Sequence, residues 1–167
     1  MSGATTSSTL MQKAFGPMFQ KMSGAKWFSK VGPKIVPRLD RTVHKLTGGK
    51  VMLGQSLVPS LYLTTIGAKS GEPRLSPLLC MPEGEGWIVV GSNFGQEKHP
   101  AWTGNLIKTP EARVEYRKKA YDVVGALLEG EDRERVWAEL NRVWPVYDKY
   151  QARLEREIRI FRLTPKA

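Results

Sequence analysis

The 167-residue sequence predicts a mainly β protein of the α+β class, an antiparallel barrel carrying a few helices. Two observations point there. From Pro59 onward six short runs rich in β-branched, aromatic and aliphatic residues follow one another: SLYLTTI, RLSPLLCM, GWIVVGS, ARVEYR, AYDVVGALL and EIRIFRL. Glycine, proline and acidic turns separate them, without the regular strand-helix alternation of a parallel sheet.

Ahead of the strands lies a Ser/Thr-rich tip, and then a segment over residues 10–31 with a helical period. Met11, Phe15, Met18, Phe19 and Met22 recur at helical spacing, Lys13, Lys21, Lys26 and Lys30 fall among them, and Gly16-Pro17 interrupts. Trp27 and Phe28 extend the apolar side. The pattern is that of a basic amphipathic helix, which suits two surfaces equally: the flank of the barrel, or the interface of an anionic membrane.

The charge divides along the same boundary. The formal net charge is +10, yet residues 1–50 hold nine Lys/Arg against one acid, whereas residues 51–167 hold seventeen against fifteen. Two regions are therefore expected: a basic N-terminal segment, 1–50, and a nearly neutral barrel domain, 51–167. No nucleic-acid reading motif accompanies the basic segment, so nucleic acid is not an expected partner.

Three helices are expected between the strands. The first starts at His99-Pro100 and ends before Thr109-Pro110, proline suiting a first helical position. The second runs from Glu131 to about Val143, with Val136, Trp137 and Leu140 on one face. A third begins at Trp144-Pro145 and carries Tyr147, Tyr150 and Leu154. The last strand then closes the sheet.

The single cysteine, Cys80, has no thiol partner and no nearby histidine, so it reads as a buried strand residue, and no metal site is expected. No apolar stretch approaches a membrane span and the N-terminus lacks the features of a secretory signal. A cytoplasmic protein is expected, with peripheral attachment to the inner face of the cell membrane if residues 10–31 meet lipid.

Three segments carry chemistry. In TTIGAKSGEPRLSPL, residues 64–78, a strand enters a Gly-containing turn with Lys69 and leaves by a strand opening with Arg74. Backbone N–H groups and two cations converge as they do around anions, although an ordinary hairpin has the same look. In GSNFGQEKHPAWTGNL, residues 91–106, a strand passes through a loop into a helix whose first N–H groups lack partners. His99 there suits a capping role, and Trp102 and Asn105 lie three apart on the helix. In WPVYDKYQARL, residues 144–154, Tyr147 and Tyr150 sit one turn apart, fit either for packing or for stacking on a flat acceptor and donating a proton. No nucleophile-base set appears, so a cofactor has to bring the reactivity.

In this order the segments resemble the deazaflavin-dependent nitroreductase family of actinobacterial F420-dependent oxidoreductases. The shared motifs are T-T-x-G-x-K-S-G-x-x-R-x-x-P-L, then G-S-x-x-G-x-x-x-x-P-x-W-x-x-N-L, then P-x-Y-x-x-Y-Q, over about residues 50–163. The resemblance implies a split β-barrel of the FMN-binding, pyridoxamine-phosphate-oxidase-like type and binding of reduced coenzyme F420. By the same resemblance Lys69, Ser70 and Arg74 hold the cofactor's phosphate and acidic tail, and Pro77 and Leu78 lie beside its ring. Ser92 adjoins the reactive part, and Asn93, Gly95, Lys98 and His99 surround the phosphate region. Pro100, Trp102 and Asn105 fix the loop. Tyr147 and Tyr150 line the acceptor pocket, and together with Ser92 form the catalytic group.

The implied activity is hydride transfer from reduced F420 to a small organic acceptor: a quinone, an enone or a nitroaromatic. A non-catalytic F420 carrier and an FMN-binding barrel are the alternatives, and the chain is expected as a monomer or homodimer. The sequence departs from the family where Ala68 and Asn93 replace basic residues and Trp144 replaces a tyrosine.

Overall fold

In a computed structural model of the chain the described residues are 59–167. The amphipathic segment at 10–31 and the division at residue 50 lie outside them. The elements are β1 (Ser60–Ile66), β2 (Pro73–Glu83), β3 (Gly86–Val90), a short 3-10 turn (Asn93–Gly95), α1 (Ala101–Lys108), β4 (Glu111–Tyr116), β5 (Lys119–Leu127), α2 (Gly130–Val143), α3 (Val146–Gln151) and β6 (Ile160–Pro165).

The strands form one closed antiparallel barrel in the order β1-β2-β3-β6-β5-β4. Strand β1 also pairs with β4, with Leu63 opposite Val114, which joins β1–β3 and β4–β5 into one sheet. The last strand closes that sheet, as the sequence suggests, by inserting between β3 and β5, with Val89 opposite Phe161 and Gly125 opposite Leu163. The pairing of each residue is set by the two-residue period of the side chains: a one-residue slip would turn the buried set outward.

That period builds two cores. Leu61, Leu63, Cys80, Trp87, Val89, Val114, Val123, Phe161 and Leu163 come from all six strands and meet in a single cluster, the barrel interior. Their neighbours of opposite parity, Ile88 and Ile160, point outward and join Val136, Leu140, Trp144, Tyr147 and Tyr150 beneath α2 and α3. Strand β3 is thus apolar on both faces, and β6 is so at Ile160, because helices cover the outer one there.

Helix α1 joins the barrel interior through Trp102 and Leu106. Gly125 makes room for it: a β-carbon there would lie 3.0 Å from Leu106 Cδ2. Trp102 meets Phe161 edge to face, ring centroids 5.6 Å apart.

Helix α2 is favoured electrically at both ends, with Glu131 and Asp132 in its first turn and Arg142 in its last. It is tied to the barrel by Arg162, which donates to Glu83 at 2.5 Å and to Asp132 at 2.6 Å. Arg135 reinforces the same two carboxylates. The third helix is shorter than the aromatic spacing suggests: α3 ends at Gln151 because residues 152–158 turn back toward the barrel instead of continuing it.

Candidate functional site

Two loops meet at α1. The β1–β2 turn, residues 67–72, closes on itself through Gly67 N–H to Glu72 O, 2.8 Å, and Gly71 N–H to Gly67 O, 2.8 Å. Gly71 has φ of +70°, a conformation that strains any residue with a β-carbon. Asn105 fastens this turn to the helix, accepting from Ala68 N–H at 2.9 Å and donating to Thr65 Oγ1 at 3.0 Å. Lys108, one turn on, donates to Ala68 O.

The turn presents its charges outward. Lys69 is exposed, with no hydrogen bond or ion pair among the described residues. Arg74 is likewise exposed and donates to Ser70 Oγ at 3.2 Å, while Ser70 Oγ also accepts from Glu72 N–H. Lysine, serine and arginine thus lie on one small surface.

The second loop links β3 to α1. Ser92 is right-handed, with φ −68° and ψ −30°, and is followed by three left-handed residues: Asn93 (φ 47°), Phe94 (φ 54°) and Gly95 (φ 74°). For asparagine and glycine this is tolerable. For Phe94 it is strain that the surroundings have to hold in place. Part of the hold is local: Gly95 N–H donates to Ser92 O, and Asn93 Nδ2 donates to Lys98 O at 2.8 Å.

A further part comes from Arg156. Its guanidinium donates to Gly91 O at 3.3 Å, to Ser92 O at 2.9 Å and to Gln96 O at 2.8 and 3.0 Å. It also lies 3.3 Å from His99 Nδ1. An arginine offers donors only, so Nδ1 accepts and the imidazole carries its proton on Nε2. Burial, and then the positive Arg159 and Arg156, push His99 below its ordinary pKa, which keeps the ring neutral. Arg156 is itself set by Gln151, which donates to Arg156 O and accepts from Ile158 N–H, each at 2.9 Å.

Helix α3 packs against this loop. A β-carbon on Gly95 would lie 2.8 Å from Cδ1 of the buried Tyr150. One turn earlier Tyr147, also buried, borders a cavity of about 140 Å³ between the outer face of β2–β3 and helix α2, with Leu79, Met81, Ile88, Leu140 and Trp144 among its walls. Burial, then Tyr150 and Cys80, hold the Tyr147 phenol protonated by pushing its pKa well up. Its hydroxyl has no hydrogen bond among the described residues.

Lys69, Ser70 and Arg74 therefore gather on one turn, while Ser92, Asn93, Gly95, Lys98, His99 and Pro100 gather on one loop. Pro77 and Leu78 do not share a surface: Leu78 packs onto the barrel interior and Pro77, its neighbour in a strand, takes the opposite face. Trp102 and Asn105 are buried supports of the site, their side chains committed to Phe161 and to the β1–β2 turn. Tyr147 lines the cavity and Tyr150 the loop. Sequence reasoning missed Arg156. The glutamine closing the third motif was its one signal, a polar residue whose amide has a partner only if the following turn folds back.

The chain is similar to known proteins in sequence and in fold. The family model described as F420H2-dependent quinone reductase matches residues 36–165. An F420H2-dependent quinone reductase of Mycobacterium tuberculosis is 29% identical over 150 residues, covering 86% of this chain and 99% of that protein. A solved structure of an F420-H2 dependent reductase (FDR-A) is 36% identical with a TM-score of 0.58, covering 63% of this chain and 93% of its own. Another, described as a domain-swapped dimer, is 33% identical with a TM-score of 0.61, covering 75% and 93%. With most of its length inside the family model, and both loops and the α3 motif within the matched span, the chain belongs to the F420H2-dependent quinone reductase family and is an F420H2-dependent oxidoreductase.

Proposed function

We propose that the protein binds reduced F420 along α1, between the 67–72 turn and the 91–100 loop, and reduces a quinone held against the α3 tyrosines. The observation that carries this reading is that the cations of the two loops form no ion pair among the described residues, although Glu72 and Glu97 share those loops. Lys69 and Lys98 have no acidic partner among the described residues, and Arg74 is bonded only to Ser70. A phosphate and acidic tail are the partners such a surface lacks.

The residues fit the group. Helix α1, eight residues and about 12 Å long, carries both loops on its flank, with Gly91 against Thr103 and Ala68 bonded to Asn105. In this reading Lys69, Ser70 and Arg74 hold the anionic tail, Asn93, Gly95, Lys98 and His99 the phosphate region, and Ser92 adjoins the ring. Pro77 flanks it, and Pro100 starts the helix that spaces the two loops. Bound reduced F420 supplies a hydride. The protein's part is to orient donor and acceptor, exclude water and provide a proton.

Tyr147 is placed to donate a hydrogen bond in that last task. Its phenol stays protonated in an apolar cavity, ready to hydrogen-bond a carbonyl oxygen as charge builds on it. The cavity walls of Leu79, Met81 and Trp144 favour a flat, apolar acceptor, and the quinone named in the family's description meets that requirement. An enone or nitroaromatic is an acceptor of the same shape, and nothing in the family match favours FMN over F420.

A homodimer is the assembly we favour, since a similar structure is described as a domain-swapped dimer. Among the described residues no helix is long and apolar enough to cross a membrane. A cytoplasmic enzyme touching an anionic membrane through residues 10–31 would meet a lipid-soluble quinone there, and binding of the full chain to anionic vesicles tests that contact.

Mixing the protein anaerobically with reduced F420 and menadione tests the activity. The expected result is recovery of oxidised F420 in step with quinone consumed, with Tyr147→Phe losing turnover by about tenfold or more and little cofactor affinity. Unchanged turnover in Tyr147→Phe would transfer the proton step to Tyr150 or water, and no quinone reduction by the wild type would reject the acceptor class.

A further inference from the structure

We infer that Arg156 is a positioning residue for the cofactor: it builds the binding face of the 91–96 loop from behind without contacting the ligand. The inference rests on the F420 reading of that loop. One guanidinium accounts for the carbonyls of Gly91, Ser92 and Gln96, and Asn93 Nδ2 accounts for that of Lys98. With the oxygens drawn to the protein side, an approaching anion meets no carbonyl repulsion from these residues.

The amides are left for the ligand. Ser92 in the right-handed region followed by Asn93 in the left-handed region is the sequence of conformations that forms a concave cluster of N–H donors, a natural anion seat. Among the described residues the Ser92 and Asn93 N–H groups find no acceptor. Asn93 itself stands where the resembling family carries a basic side chain, so at this position the chain offers backbone donors backed by a buried-side cation in place of a side-chain charge.

The support is layered from α3. Gln151 fixes the Arg156 backbone, and Tyr150 beside it packs on Gly95, so consecutive residues hold the loop from two directions. Without the guanidinium three carbonyls each lose a donor, that of Ser92 keeping Gly95 N–H, and Phe94 has less to keep it at a φ of 54°. A lysine supplies the charge but not the planar fork needed to reach three carbonyls at once.

The test compares wild type with Arg156→Lys in an F420 fluorescence titration and a thermal melt. The expected result is a Kd for F420 raised about tenfold or more, with KM for reduced F420 rising more than kcat falls, in a variant that melts within a few degrees of the wild type. Wild-type affinity in a folded Arg156→Lys overturns the assignment, whereas absence of F420 binding by the wild type sinks the cofactor reading instead. If the variant does not fold, amide NMR of the wild type decides: Ser92 and Asn93 signals are expected to shift on F420 addition while the Arg156 Nε–H signal, protected before addition, stays put. Unmoved Ser92 and Asn93 amides at saturation overturn it.

Discussion

Tyr150 lies so close to the Gly95 backbone that a single added methyl group has no place between them: a β-carbon would sit 2.8 Å from the ring's Cδ1 and 3.3 Å from Cγ. Gly95 also holds a φ of +74°, which opposes alanine independently of the ring.

Gly95→Ala is therefore expected to destabilise the protein by about 2 kcal/mol, lowering Tm on the order of 5 °C, and to weaken F420 binding at the same time. A melt and a cofactor titration of the same sample check both. An unchanged melt would mean that the loop stands off from α3.

The clasp of Arg162 and Arg135 on Glu83 and Asp132 predicts how stability responds to acid. Hydrogen bonds from Arg162 first, and from Arg135, hold both carboxyls below their ordinary pKa. A carboxyl depressed in the folded state contributes stability above its unfolded pKa, and that contribution is lost as pH falls through the folded value. Asp132→Asn is thus expected to melt below the wild type at pH 7, and the gap should close as pH falls below about 4. A gap that stays constant across that range would mean that the ion pairs add nothing to stability.

Cys80 is predicted to be inert in the folded protein. Burial pushes its thiol up to about 12, so at pH 8 roughly one molecule in ten thousand carries the thiolate. A thiol reagent at pH 8 should label it only on unfolding, and rapid native labelling would show that the barrel opens.

Lys69 and Arg74 test the anion turn. Both are exposed and neither props up the core, so Lys69→Ala and Arg74→Ala should each weaken F420 binding about fivefold to tenfold without moving Tm. The loss should diminish at high salt, because it is electrostatic. Unchanged affinity in both variants would move the cofactor's tail off this turn.

The sequence makes the barrel visible because a strand with one face in a core alternates, and runs such as SLYLTTI announce it; β1 spans those seven residues, Ser60–Ile66. It does not reveal that β6 lies between β3 and β5. That order depends on contacts such as Val89 with Phe161, which no local pattern encodes. The final strand also begins later than EIRIFRL suggests, at Ile160, because the preceding residues are used by the loop: Gly91 N–H bonds to Arg159 O, and Ile158 N–H to Gln151.

Of the candidate site, the placement of Lys69 and Arg74 about one turn and of Ser92–Pro100 in one loop follows from their order along the chain, since backbone conformation there demands particular residues at fixed spacing. Trp102 and Leu78 were ambiguous because an apolar side chain beside a site and one inside a core look alike in sequence; both pack on the barrel interior. Arg156 was hidden in the run RLEREIR, where an arginine that binds three carbonyls is indistinguishable from a solvated one.

Binding of F420 by this barrel is tested most directly by a parallel titration of the purified protein with oxidised F420 and with FMN, read by fluorescence. Saturable F420 binding that weakens in Lys69→Ala and Arg74→Ala is expected, with no comparable binding of FMN. Preferential binding of FMN, or of neither cofactor by folded protein, would contradict that expectation.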